Sequence, residues 1–118
     1  TSDESEYVKL MQNAFSAVKV AFFNEARALA DKAGLRWEDC LEALLASGWI
    51  NPMHTQVPGP DGQRGFGGAC FPKDLANWID CFDKAKVVNL VASAALMRNQ
   101  NVDRPNQPEH TKAPRRFL

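Results

Sequence analysis

Apolar residues in the first third of the chain recur at the spacing of an α-helix. The regularly spaced set is Leu10, Ala14, Val18, Phe22, Ala26, Leu29 and Ala33. No proline or glycine interrupts residues 3–33, so the pattern predicts one long helix from about Asp3 to Ala33. Gly34 follows, and glycine commonly ends a helix in the left-handed conformation, while Lys32 suits the negative end of the helix dipole.

The apolar stripe of this helix is wider than one small domain can cover. Further apolar residues lie beside it, namely Tyr7, Met11, Phe15, Ala21 and Phe23. A helix that is apolar on more than one side has to be covered on more than one side. We therefore expect part of it to pack against a partner subunit or a neighbouring domain.

A second helix is predicted over Trp37–Ala46, with Glu38 and Asp39 in its first turn and Gly48 as its terminator. Residues 48–69 then hold six glycines and three prolines, a composition that favours neither helix nor strand. A loop of about twenty residues is long for a compact domain and is typical of segments that have a function.

Two further helices follow this loop. The third is predicted to begin at Pro72 and to reach about Lys84, with an apolar face of Leu75, Trp78, Ile79 and Phe82. The fourth is predicted from roughly Val87 to Gln100, with an apolar side of Leu90, Val91, Ala94, Ala95 and Met97. No repeat and no alternating strand pattern is visible, so we predict an all-α domain over 1–102, followed by an extended or mobile tail over 103–118.

The composition indicates one soluble globular domain. The 118 residues suit a single core, and fourteen basic residues balance fourteen acidic ones to a formal net charge of +0. Without an overall field, nucleic acid and anionic membranes are not expected as partners. The apolar runs fall short of the ~18 residues of a membrane span. The first seven residues are polar and acidic rather than a secretory signal, so we expect a cytoplasmic protein.

Three cysteines are present, Cys40, Cys70 and Cys81, and none has the Cys-x-x-Cys spacing typical of a zinc or redox site. We expect reduced thiols and no bound metal. Cys40 and Cys81 stand beside apolar residues in predicted helices, which favours buried, inert thiols. Cys70 stands in the loop.

The stretch around Cys70 is the strongest chemical signal in the chain. It reads Gly65-Phe66-Gly67-Gly68-Ala69-Cys70-Phe71-Pro72-Lys73-Asp74. Its glycines allow close approach of a ligand, and the helix that begins at Pro72 would direct free N–H groups at a Cys70 thiolate. Lys73 adds a cation, and Asp74 could orient water after the sulfur has reacted. The pattern therefore predicts a nucleophilic cysteine.

Other interpretations of these glycines fit less well. A dinucleotide-binding motif needs a third glycine where Cys70 stands and a preceding strand. A phosphate-binding loop needs a Gly-Lys-Ser or Gly-Lys-Thr sequence, which the chain lacks. A flexible loop with an incidental cysteine stays open as an alternative.

Lys9 and Asn13 are four residues apart and share one face of the first predicted helix. Ser16, Asn24 and Glu25 interrupt the apolar pattern further along. These polar residues either line a site or form a solvated stripe, and the helix alone does not decide between the two.

Taken together, these residues resemble the central domain of the UDP-glucose/GDP-mannose 6-dehydrogenase family over about residues 5 to 100. The matching pattern is Glu6-x-x-Lys9-x-x-x-Asn13-Ala14-Phe15, then Asn24-Glu25, then the glycine–cysteine loop ending at Lys73-Asp74. The lead-in Val57-Pro58-Gly59-Pro60-Asp61-Gly62 is more similar to the UDP-glucose enzymes. The resemblance implies a helical bundle around the long first helix, similar to the 6-phosphogluconate dehydrogenase C-terminal domain.

The resemblance also implies roles for individual residues in the NAD-dependent four-electron oxidation of UDP-glucose to UDP-glucuronate. Cys70 would attack the C6 aldehyde to give a thiohemiacetal and later a thioester. Lys9 would stabilise charge on the C6 oxygen, Asn13 would assist, and Asp74 would activate the hydrolytic water. The substrate pocket would comprise Phe66, Gly67, Gly68 and Lys73, and Lys73 would also lie near the cofactor.

The sequence departs from the family in two respects. Trp49 stands where the family has an arginine, directly before Ile50, that reaches the substrate of a neighbouring subunit. The family also has a Rossmann NAD-binding domain and a C-terminal nucleotide-binding domain, and no such unit is visible in these residues. We therefore expect a homodimerising domain that is inactive alone. The alternative is a dimerisation or interaction module that kept the fold but lost the chemistry.

Overall fold

The structure is a computed structural model that describes residues 1–68 and 70–107. Its helices are α1 (Ser2–Ala33), α2 (Trp37–Leu45), α3 (Phe71–Ala85) and α4 (Val91–Arg98), and α4 continues into a π-helix (Asn99–Asp103). No strand occurs in these two ranges, so the predicted all-α class is confirmed. Within the described residues, no helix has the length and apolar character needed to cross a membrane.

Helix α1 begins and ends as the sequence predicts. The Thr1 side chain accepts the Glu4 N–H at 3.1 Å, and Gly34 caps the other end with φ 74°. The buried face of α1 is made largely of small residues, including Ala14, Ala17 and Ala21, which lets α3 and α4 approach closely.

Much of the apolar surface of α1 is uncovered in the described residues. Phe15, Phe22 and Leu29 expose 63%, 64% and 70% of their surface. The helix is therefore buried on one side only, and a second apolar side faces outward.

The boundaries of the other helices differ from the prediction by small amounts, except in α4. Helix α2 ends at Leu45, before Gly48, and α3 begins at Phe71, one residue before Pro72. Helix α4 begins at Val91 rather than Val87, and its helical path continues beyond Gln100 as the π-helix.

The predicted apolar side of α4 is wrong for every residue except Ala95, which is buried as predicted. Its large residues Leu90, Val91 and Met97 are 75%, 71% and 61% exposed, and Ala94 is exposed as well. The helix is instead buried through Ala92 and Ala95, at 4% and 6%. Small side chains are needed there because α4 packs against the alanine face of α1.

Two groups of buried side chains hold the helices together. The first joins α1, the loop, α3 and α4 and comprises Ala14, Ala17, Ala21, Phe66, Leu75, Ala92 and Ala95. The second joins α1, α2 and the lead-in of the loop and comprises Phe23, Ala30, Trp37 and Val57. The long loop is thus fixed in both groups, through Val57 and through Phe66. Of the predicted tail, residues 108–118 lie outside the described residues.

Candidate active site

The glycine loop lies against the end of α4. Gly65 has φ 74°, and a Cβ there would lie 2.6 Å from the Asp103 Cβ and would also meet the Asn99 Oδ1. Both the backbone angle and the lack of space therefore require glycine at this position.

Two buried asparagines bind the backbone of this loop. The Gly65 N–H donates to Asn24 Oδ1 at 2.9 Å, and the Phe66 N–H donates to Asn99 Oδ1 at 2.9 Å. Asn99 Nδ2 donates in return to the Phe66 carbonyl at 3.0 Å. Both asparagines are 2% exposed, and the Phe66 side chain is buried in the first core group.

Arg104 fastens the outer part of the loop. Its Nε donates to the Arg64 carbonyl at 2.7 Å, and its guanidinium pairs with Asp61 at 2.6 Å. The Gln63 backbone N–H and then Arg104 hold the pKa of Asp61 below its usual value. Arg64 in turn pairs with Asp31 near the end of α1 at 2.7 Å, and this contact is the main cause that lowers the pKa of Asp31.

Cys70 occupies the capping position directly before α3, and its side chain is exposed. Its carbonyl accepts the Asp74 N–H at 2.9 Å, which is the first turn of the helix. The free N–H groups of a helix start attract negative charge, so an anion formed at Cys70 would lie beside the positive end of the α3 dipole.

Asn13 and Asp74, predicted from separate segments, meet in the structure. Asn13 Nδ2 donates to Asp74 Oδ2 at 2.6 Å across the contact between α1 and α3. Lys9 lies one turn before Asn13 on α1 and is exposed, as is Lys73 on the first turn of α3. Asn13, Asp74 and Lys73 thus lie at the same end of α3 as Cys70, whereas Lys9 lies nearer the level of Trp78, on which Tyr7 packs one turn further along α3.

The residues predicted to shape the sugar pocket differ in their surroundings. The backbone N–H and carbonyl of Phe66 are both engaged by Asn99. Gly67 is half-buried beside Arg104, and Gly68 is exposed with φ 79°. Gly67 and Gly68 are therefore the better placed of these three for contact with a ligand.

The prediction for Cys40 is wrong, whereas Cys81 is buried as predicted. Helix α2 buries only Trp37 among its residues, so the other side of the helix, where Cys40 stands, faces outward. Cys40 is consequently an exposed thiol that lies in α2 and not in the glycine loop.

The sequence did not indicate a role for His54, nor that Asn24 and Asn99 hold the backbone of the loop. His54 has φ 66° and packs edge-on against Phe71, the neighbour of Cys70, with ring centroids 5.0 Å apart. Burial and then the charge of Lys19 hold the pKa of His54 below its usual value. Trp49, at the position where the resemblance implies an arginine, is 77% exposed.

Residues 3–101 match the sequence profile of the UDP-glucose/GDP-mannose dehydrogenase family, central domain. The chain belongs to this family. The resemblance inferred from the loop and from α1 is thereby confirmed, and the chain is a central domain of these dehydrogenases.

Several relatives carry the name UDP-glucose 6-dehydrogenase. The protein of Campylobacter jejuni is 37% identical over 83 residues, which cover 67% of this chain and 20% of that protein. The Rickettsia prowazekii protein is 30% identical over 96 residues, covering 81% and 21%, and that of Rhizobium meliloti is 38% identical over 74 residues, covering 63% and 16%. The chain thus spans about a fifth of the length of these relatives. No solved structure matches the chain.

Proposed function

We propose that this chain supplies the nucleophile and its supporting polar groups to a UDP-glucose 6-dehydrogenase. The observation that carries the proposal is the hydrogen bond between Asn13 and Asp74, which unites α1 with the start of α3 directly beside Cys70. The dehydrogenase family and the names of the relatives supply the substrate class.

Cys70 acts as the nucleophile in this proposal. Its thiolate forms a C–S bond to the aldehyde carbon at sugar C6, and the electron pair of the carbonyl moves to the oxygen. Lys9 stabilises the negative charge on that oxygen, and Asn13 assists by orienting the polar groups around it. The product of this step is a thiohemiacetal on Cys70. Loss of a hydride from its C6, for which NAD would be the acceptor, would convert it to the thioester, as an earlier hydride loss from the C6 alcohol would give the aldehyde.

Asp74 acts in the release of the acid. It takes a proton from water as the water adds to the thioester carbon, and the sulfur leaves as a thiolate. The hydrogen bond from Asn13 fixes the direction of the Asp74 carboxylate for this step. Lys73, Gly67 and Gly68 line the approach to the sulfur.

In this proposal NAD is bound mainly outside the residues that the structure describes. They include no strand, and so no strand–helix unit of the kind that binds dinucleotides. NAD, which would accept the hydrides, would be bound by other parts of such an enzyme, with Lys73 as a contact from this chain. We accordingly expect the 118 residues alone to give no NAD reduction with UDP-glucose.

A homodimer is part of the proposal. Val8, Phe15, Phe22 and Leu29 are spaced seven residues apart, so they form one outward stripe along α1, and all four are more than half exposed. A second copy of the same helix, related by a twofold axis, would cover this stripe.

The cytoplasmic location remains a proposal drawn from the same family.

A chimera tests the catalytic role. The segment of the Campylobacter jejuni enzyme that matches this chain is replaced by the residues of this chain, and NAD reduction with UDP-glucose is measured. We expect turnover that is abolished by Cys70→Ala and kept in the matched control Cys40→Ala. A folded, dimeric chimera without turnover, or one that keeps it after Cys70→Ala, would contradict the proposal and favour a module without catalytic activity.

Trp49 offers a second arm of the same experiment. In the chimera, Trp49→Arg restores the charge that the family places at this exposed position. A cation there would pair with a phosphate or hydroxyl of the neighbouring subunit's substrate. We expect a lower KM for UDP-glucose with little change in kcat; an unchanged KM would show that Trp49 does not affect anchoring of the sugar nucleotide.

A further inference from the structure

Asn99 makes a two-point contact with the loop that carries Cys70. Its Oδ1 accepts the Phe66 N–H at 2.9 Å, and its Nδ2 donates to the Phe66 carbonyl at 3.0 Å. Asn24 makes one bond to the neighbouring Gly65 N–H, while its Nδ2 is engaged by the Val20 carbonyl within α1. The loop is thereby tied to α4 at two atoms and to α1 at one.

This contact has a physical cause. Phe66 is buried, and a buried backbone group without a partner destabilises the fold. No strand pairs with the described part of the loop, so hydrogen-bond partners for its buried backbone groups must come from side chains. An asparagine amide offers one donor side and one acceptor side, and it therefore satisfies both backbone groups of a single residue.

The π-helix brings Asn99 into this position. The Arg104 N–H donates to the Asn99 carbonyl at 2.7 Å, which closes a wider turn than that of an α-helix. In this turn Asn99, Asp103 and Arg104 all lie against the loop, since a Cβ on Gly65 would meet atoms of each of them. Wide turns of this kind are frequent at functional sites.

We propose that Asn99 is a positioning residue for the nucleophile, acting through Phe66. Three residues separate Phe66 from Cys70, and two of them are glycines that do not restrict the backbone. The place of Cys70 is therefore set by its two fixed neighbours, Phe66 on one side and the start of α3 on the other. This inference rests on the proposed function, because it assumes that the Cys70 thiol is the reacting group.

The test compares alkylation of two exposed thiols in the 118-residue chain. Iodoacetamide is added at neutral pH, and the rates at Cys70 and Cys40 are measured as peptide masses over time. The wild-type ratio of Cys70 to Cys40 is expected to be at least about threefold, because Cys70 stands directly before α3, whose first N–H groups can stabilise negative charge on the attacking sulfur. In Asn99→Leu, which keeps the size but loses both bonds, the ratio is expected to fall to about one.

Two further variants separate positioning from stability. Asn99→Asp keeps the acceptor for the Phe66 N–H but loses the donor, so it is expected to retain part of the wild-type ratio. Ala30→Gly weakens α1 in the second core group, which contains the loop residue Val57 but neither Phe66 nor Asn99. It is expected to lower the Tm but to leave the ratio unchanged.

The outcomes distinguish this inference from the proposed function. A wild-type ratio near one would mean that Cys70 is no more reactive than Cys40, and it would overturn both the role of Asn99 and the proposed function. A raised wild-type ratio that persists in folded Asn99→Leu overturns only the role of Asn99, as does an equal fall of the ratio in Ala30→Gly.

A measurement on the wild-type chain keeps the inference testable if Asn99→Leu fails to fold. Hydrogen exchange followed by NMR is expected to show the Phe66 amide among the slow ones and the Gly68 amide as a fast one, because Gly68 is exposed. Exchange of the Phe66 amide as fast as that of Gly68 would overturn the inference.

Discussion

At the scale of single residues, Asp74 connects the two helices of the candidate active site. Its backbone N–H closes the first turn of α3 on the Cys70 carbonyl, and its carboxylate accepts the Asn13 amide. A movement of α1 relative to α3 would therefore displace Cys70, which caps α3. His54, packed on Phe71, adds a titratable group close to the same turn.

His54 should make the stability of the chain depend on pH. Folding lowers its pKa, so the unfolded chain binds the proton more tightly than the folded one. The stabilisation is present above the pKa of an unfolded histidine, about 6.5, and is lost as the pH falls through the lower folded value. We expect the Tm to drop between about pH 7.5 and pH 5.5, and to drop less in His54→Asn, which tolerates the positive φ. Equal slopes in the two proteins would contradict this.

The residues missed by sequence reasoning share one property. Asn24 was noted only as an interruption of an apolar pattern and Asn99 was not singled out, because nothing in their spacing indicates that they are buried against a distant loop. Cys40 shows the opposite case, because its apolar neighbours suggested burial although α2 buries only Trp37. In each case the missing information is which side of a helix another segment covers.

At the scale of elements, local signals predicted the helices well where capping residues mark their ends. Helix α1 has Gly34 as a cap, and α3 begins within one residue of Pro72. Helix α4 was misjudged because Val91 and Met97 point outward while Ala92 and Ala95 point inward, which a count of apolar positions does not distinguish. The π-helix also escaped prediction, since its wider turn depends on contacts with the loop.

Gly65 and Gly34 provide a matched test of the loop geometry. Both have φ 74°, but a Cβ on Gly34 meets nothing within 4 Å, whereas one on Gly65 meets Asn99 and Asp103. We expect Gly34→Ala to lower the free energy of unfolding by about 1–2 kcal/mol from backbone strain alone. Gly65→Ala should cost about 1–3 kcal/mol more, because the added methyl overpacks the contact with α4.

Urea unfolding of the two variants measures this difference. Equal losses of stability would mean that the end of α4 does not pack tightly against the glycine loop.

At the scale of the whole molecule, the exposed stripe on α1 calls for a partner. Phe15 and Phe22 lie at its centre and expose about two thirds of their surface. In a dimer they would be buried, and a charge placed among them would be left unpaired in an apolar contact. Phe15→Glu is therefore expected to shift the chain from dimer to monomer in sedimentation equilibrium.

Leu35→Glu serves as the control for this shift. Leu35 is 57% exposed but lies beyond the end of α1, so its charge should leave the dimer intact. A wild-type monomer at high concentration, or a dimer that survives Phe15→Glu, would contradict the assignment of this surface.

The reactivity of Cys70 in the unmodified chain shows whether this residue can act as the nucleophile. Iodoacetamide labelling across about pH 6 to 8 compares Cys70, at the start of α3, with Cys40, an exposed thiol in α2, and with buried Cys81. We expect Cys70 to be labelled first at every pH in this range, followed by Cys40 and then Cys81. Labelling of Cys40 at the same rate as Cys70, or faster, would contradict the assignment of Cys70 as the nucleophile.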